Sequence, residues 1–159
     1  MAWSQIFCGH LNWVGLIADV SAVRYLFGRT CLKSLEIARV EKVSLVEKFG
    51  LFQEHWRPKV VAELNGQEVK LVKAEGTFPR HVHESEDEIF MVWRERFRVE
   101  FRDWVVELNP GELLVVPRGV EHCTAADEEA EILVFEPRNV VNTDDVTDAV
   151  FTAPLGVKV

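Results

Sequence analysis

The chain has 159 residues, with 18 Lys+Arg against 26 Asp+Glu for a formal charge of −8, and is 48% apolar and 28% charged. That length suits one domain with a sizeable core, and the composition is that of a globular protein rather than a disordered or collagenous one. The acidic balance argues against a nucleic-acid partner, and no apolar run approaches the roughly 20 residues of a membrane-spanning helix.

The three cysteines, Cys8, Cys31 and Cys123, are widely spaced and form no CxxC pair. Neither a disulfide framework nor a thiolate zinc site is indicated, so a reduced, cytoplasmic setting is expected. Residues 1–32 are rich in aromatics and poor in charge, with Trp3, Phe7, Trp13, Tyr25 and Phe27. The apolar stretch from Leu11 to Ala18, followed by Val20-Ser21-Ala22, has the outline of a secretory signal. It lacks a preceding Lys or Arg, and Asn12 and Asp19 interrupt or bound it. An amphipathic segment packed on the main domain or on a partner chain is the better expectation.

From Ser34 to Phe49 the apolar residues Leu35, Ala38, Val43, Val46 and Phe49 recur at mostly helical intervals, and Gly50 supplies a stop. The period then changes. Lys59–Leu64 and Glu68–Lys73 flank Asn65-Gly66, the dipeptide that best tolerates positive φ in a two-residue turn, and predict a β-hairpin. Further short strands are expected over Glu88–Trp93, Arg96–Phe101, Val105–Leu108, Glu112–Val116 and Ala130–Phe135. Asn109-Pro110-Gly111 and Pro117-Arg118-Gly119 mark turns between them. Evenly spaced short strands without intervening helices mean an antiparallel sandwich or barrel.

The chemistry lies in histidines and acids. His81 and His83 flank Val82 in an extended stretch, so both imidazoles project from one face. Glu88 follows five residues on, and a turn through Glu84-Ser85-Glu86-Asp87 would bring it back beside them. His122 comes just after the turn at Pro117-Arg118-Gly119. Alone, an HxH pair is as readily two solvent-facing strand histidines, and the acids a solvated loop. Taken together, three imidazoles and one carboxylate suit one divalent transition metal (Zn, Mn, Fe, Ni or Cu) and leave coordination positions open.

Here the chain resembles a known family. Gly76-Thr77-Phe78-Pro79-Arg80-His81-Val82-His83-Glu84-Ser85-Glu86-Asp87-Glu88 resembles the first cupin motif. Gly111-Glu112-Leu113-Leu114-Val115-Val116-Pro117-Arg118-Gly119-Val120-Glu121-His122 resembles the second. The stretch from Leu45 to Pro137 is similar to the small single-domain cupins labelled mannose-6-phosphate isomerase-like, with Glu54-His55-Trp56, Pro58-Lys59 and Leu64-Asn65-Gly66-Gln67 adding to the likeness. The resemblance implies an all-β fold, a cupin jelly-roll β-barrel over 43–140, with a partly helical or irregular N-terminal extension over 1–42 and an acidic surface tail over 141–159. It assigns the metal to His81, His83, Glu88 and His122, makes Glu88 the candidate general base, and implies a homodimer with a small-molecule ligand. A metal-dependent isomerase or an oxygenase is then expected, and the alternative is a non-catalytic module that binds or senses a small ligand.

Several positions depart from the family pattern. Glu95 stands where the first motif ends in glycine, and Asp103-Trp104 occupies a turn that favours glycine. The gap from Gly76 to His81 is one residue short, and Cys123 replaces the asparagine that often follows the histidine. By strand alternation Cys123 faces away from His122 and packs rather than reacts. His55 is expected to be structural or at an interface, and Arg80 and Arg118 either pair with an anionic substrate or remain surface charges.

Overall fold

In the computed structural model of the protein, residues 41–144 and 146–159 are described. Asn65 and Gly66, with φ of 51° and 81°, make the two-residue turn that the sequence predicts. It joins β1 (Lys59–Leu64) to β2 (Gln67–Thr77) in antiparallel register from Leu64 opposite Gln67 to Lys59 opposite Leu71. The remaining strands are β3 (Glu88–Arg94), β4 (Phe97–Glu100), β5 (Val105–Leu108), β6 (Leu113–Val116) and β7 (Cys123–Pro137). Their antiparallel order is β1-β2-β7-β3-β6, with β4 paired to β7 and β5. This is the expected all-β jelly roll.

The last strand is longer than expected. It begins at Cys123, not Ala130, and serves both halves of the barrel: Cys123, Thr124 and Ala125 pair with β4, and Glu131–Phe135 lies between β2 and β3. The exposed acids Asp127, Glu128 and Glu129 interrupt its alternation and conceal that the strand is continuous. Ile132 and Val134 face the main core with Val92, Phe97 and Val99, whereas Leu133 and Phe135 face outward onto Phe49, Phe52 and Leu71.

The helical reading of Ser34–Phe49 is shortened. Its first part lies outside the described residues, residues 41–44 are not helical, and α1 spans only Leu45–Phe49. Ser44 sets that start, because its extended backbone and its hydroxyl, 3.4 Å from the Glu47 amide, form an N-cap. No helix among the described residues is long and apolar enough to cross a membrane. The remainder of the expected N-terminal extension, up to residue 40, also lies outside the described residues.

Beyond Pro137 the chain returns to the barrel. The Val60 amide donates to the Val157 carbonyl at 2.7 Å. Thr143 is fully buried, its hydroxyl 2.9 Å from that of Thr152.

The two turn departures resolve differently. Glu95 takes φ 59°, the left-handed conformation that glycine would adopt freely. Glu95→Gly should therefore raise stability by about 1 kcal/mol in chemical denaturation, the cost of a left-handed non-glycine residue. Neither Asp103 nor Trp104 takes a positive φ. That turn closes by the Phe101 amide donating to the Trp104 carbonyl at 2.9 Å, with the two rings stacked 4.7 Å apart.

Candidate metal centre

Backbone hydrogen bonds bring the two histidine-bearing segments together. The His81 amide donates to the His122 carbonyl at 2.9 Å and the His122 amide returns a bond at 3.0 Å, which makes the two residues direct cross-strand partners. One turn away, the Gly119 amide donates to the His83 carbonyl at 2.8 Å. Gly119 has φ 74°, and Gly111, which opens the second motif, has φ 87°. The Arg118 amide donates to Asp87 Oδ1 at 2.9 Å, tying the acidic turn to the Pro117-Arg118-Gly119 turn. Glu88, the first residue of β3, is thereby carried back to the histidines.

Side chains converge accordingly. Glu88 Oε2 lies 3.5 Å from His122 Nε2 and 3.7 Å from His83 Nε2. The His81 ring centroid is 4.5 Å from that of His122 and 5.0 Å from that of His83. All four residues are buried, His122 to 1% exposure. Ligand atoms of His81, Glu88 and His122 lie within 4.8 Å of one another, and so do those of His83, Glu88 and Glu136. Either group could hold a metal ion.

The tautomers follow from the neighbours. His81 Nδ1 is 2.9 Å from the Pro79 carbonyl and His122 Nδ1 is 3.0 Å from that of Val120. A carbonyl only accepts, so each Nδ1 carries the proton and each Nε2 keeps its lone pair, the arrangement of a metal-ligating imidazole. Burial, reinforced by neighbouring His122, pulls the His81 pKa down to about 4, so its ring is neutral at physiological pH. Both ring nitrogens of His83, His122 Nε2, Glu88 Oε2 and Glu136 Oε2 are buried without a hydrogen-bond partner. Each costs about 1–3 kcal/mol if left so.

Charge points the same way. Lys70 Nζ pairs with Glu136 Oε1 at 2.8 Å and Glu68 Oε2 at 3.2 Å. Burial alone would lower the Lys70 ammonium, but Glu136 and Glu68 hold it above its ordinary value. Burial, with the charge of Glu88 added, pushes the Glu136 carboxyl up to about 8. Glu68, Glu88 and Glu136 are all buried and Lys70 pairs with only two of them, so a divalent cation beside Glu88 and Glu136 would favour their ionised forms and offset the negative charge. The donor set therefore fits a divalent transition metal.

The four residues singled out in the sequence thus meet in one cluster. Sequence reasoning missed two neighbours. Glu136 projects inward from β7, and Asp144, from beyond the barrel, places Oδ2 3.6 Å from His83 Nδ1. Glu136 could have been found by extending the inward alternation of Ile132 and Val134 by one step. A small cavity of about 40 Å³ opens on the cluster, lined among others by Trp56, Phe78, His81, Glu88, Phe90 and Glu136.

Other residues stand apart from it. Burial raises the Cys123 thiol pKa, and Sγ accepts from Arg80 at 3.4 Å, so the residue packs rather than attacks. His55 pairs with Glu129 at 2.7 Å and does not line the cavity. Arg80 and Arg118 do not line it either.

Comparison with known proteins agrees with this fold. The Cupin domain family profile matches residues 67–136. The chain is similar to the crystal structure of a cupin-2 domain containing protein from Shewanella frigidimarina, at 45% identity over 60% of this chain and 94% of that one, TM-score 0.60. It shares the fold of a Neisseria meningitidis protein (24% identity, 61% and 99% covered, TM-score 0.57) and of a Thermus thermophilus protein (20%, 62% and 97%, TM-score 0.54). No curated protein matches the chain. With a 45% identical relative spanned almost end to end, and with both histidine segments in one barrel, the chain belongs to the cupin-2 domain family.

Proposed function

We propose that His81, His83, Glu88 and His122 together hold one divalent transition metal, and that the protein is a small metalloenzyme acting on an oxygen-bearing substrate. The observation that carries this reading is the convergence of buried, unpartnered His83 Nε2, His122 Nε2 and Glu88 Oε2 beside a cavity. When bound, the ion supplies Lewis acidity, or oxygen chemistry if it is iron. The Pro79 and Val120 carbonyls hold the His81 and His122 rings in register. Trp56, Phe78 and Phe90 exclude water from the cavity, and Glu88 Oε2 is the oxygen placed to take a proton from a substrate there.

Within this class, sugar isomerisation and oxygenation are both open to such a site. The cavity lining includes neither Lys nor Arg, so a phosphate group would find no cation. This favours an unphosphorylated substrate over mannose 6-phosphate itself. The test is to load metal-free protein separately with Zn²⁺, Mn²⁺ and Fe²⁺. Interconversion of unphosphorylated aldoses and ketoses is followed by NMR, and oxygen uptake by electrode. Turnover in a loaded form, absent from the metal-free protein, supports the enzyme; ligand binding without turnover in any form supports a binding module instead.

The same proposal includes a homodimer and a reduced, cytoplasmic setting, the latter suited by the buried free thiol of Cys123. β6 lies at the end of the strand order and exposes Leu113 and Val115, an apolar edge suited to pairing with a second copy. Light scattering should give twice the 18.2 kDa chain mass.

A further inference from the structure

Glu136 is 2% exposed, yet only one of its carboxylate oxygens is used by the fold. Lys70 holds Oε1 at 2.8 Å; Oε2 is buried, has no partner and belongs to a cavity-lining residue. Lys70 already has Glu68 at 3.2 Å, so its charge does not require a second carboxylate. An apolar side chain would fill the inward position after Ile132 and Val134 without stranding an oxygen. Glu136 also shares with His83 and Glu88 a set of ligand atoms within 4.8 Å, so a molecule seated at the cluster reaches it.

Resting on the metal site proposed above, we infer that Glu136 is a specificity-determining residue whose Oε2 accepts a hydrogen bond from a hydroxyl of the bound ligand. The chemistry of the walls narrows the ligand. With the Lys70 ammonium on Oε1 at 2.8 Å and a divalent ion seated at the cluster, the carboxyl of the loaded protein is ionised; its Oε2 then only accepts, so the ligand must bring an O–H. Two carboxylates and no Lys or Arg line the cavity, which disfavours an anion, while Trp56, Phe78 and Phe90 offer apolar faces to a short carbon skeleton. The class is a small uncharged compound with a hydroxyl next to an oxygen that seeks the metal.

The test uses the full chain loaded with Co²⁺, whose visible spectrum reports ligand entry. The probes are hydroxyacetone and methoxyacetone, which share a carbonyl and differ in whether the neighbouring oxygen carries a hydrogen. Wild type should bind hydroxyacetone about tenfold more tightly, the scale of one hydrogen bond to a charged acceptor. In Glu136→Gln, the amide oxygen can face Lys70 and the NH₂ the cavity, replacing an acceptor by a donor. That variant should keep about one equivalent of Co²⁺ and lose the preference.

A wild type with no preference overturns the inference, and needs no variant to do so. A variant that keeps the preference also overturns it. A variant that loses its metal shows Glu136 to be a ligand to the ion, which overturns the inference while leaving the metal reading intact. A wild type that takes up no Co²⁺ overturns both together.

Discussion

The His81→Ala/His122→Ala variant should bind Zn²⁺ or Co²⁺ roughly a hundredfold or more less tightly than wild type, since even outer partners of metal ligands cost 10–100-fold. The two residues are reciprocal cross-strand partners whose Nδ1 atoms are held by the Pro79 and Val120 carbonyls, so the variant removes two Nε2 donors at once and leaves only His83, Glu88 and Glu136 at the cluster. Calorimetric titration measures this directly. Thermal melting supplies a second reading, because a ligand at a hundred times its Kd stabilises the folded state by about 2.7 kcal/mol and that increment should vanish in the variant. Unchanged affinity would move the site away from these histidines.

Lys70→Met should destabilise the protein by about 3–5 kcal/mol in denaturant titration, because it leaves Glu68 and Glu136 buried without their shared ammonium. Adding Glu136→Gln should recover part of the loss. The pH dependence has a defined sign in the metal-free protein. Glu136 has a folded-state pKa of about 8, raised from 4.5 chiefly by burial. A carboxyl with a raised pKa contributes its stability below its unfolded value and loses it as pH rises through the folded one. Metal-free wild type should therefore lose stability between about pH 4.5 and 8, and Glu136→Gln should flatten that decline. A decline of equal size in both proteins would place the titrating group elsewhere.

Local chemistry explains what could be read in advance. The Asn65-Gly66 turn, the alternation that puts His81 and His83 on one face and the turn glycine before His122 all act within a few residues, and each was legible. Glu136 was passed over because the expected strand stopped at Phe135, ahead of Pro137, although one more step along the inward face of β7 reaches it. Lys70 could not be read as buried. Its burial depends on Glu136, which is 66 residues away in sequence, and alternation along β2 put the apolar Val69 and Leu71 on the opposite face. Asp144 reaches His83 only through the return of the chain after Pro137, a tertiary event with no local signature. β7 also starts earlier than the expected Ala130, because the exposed Asp127-Glu128-Glu129 break the apolar alternation while the backbone there continues the strand.

The most direct test of the account is the metal content of the full-length protein, purified without a histidine tag and measured by elemental mass spectrometry. About one equivalent of a single transition metal per chain is predicted, as the proposed site of three imidazoles and one carboxylate requires. A chain that carries no metal, and takes none up when dialysed against Zn²⁺, Mn²⁺ or Fe²⁺, would contradict it.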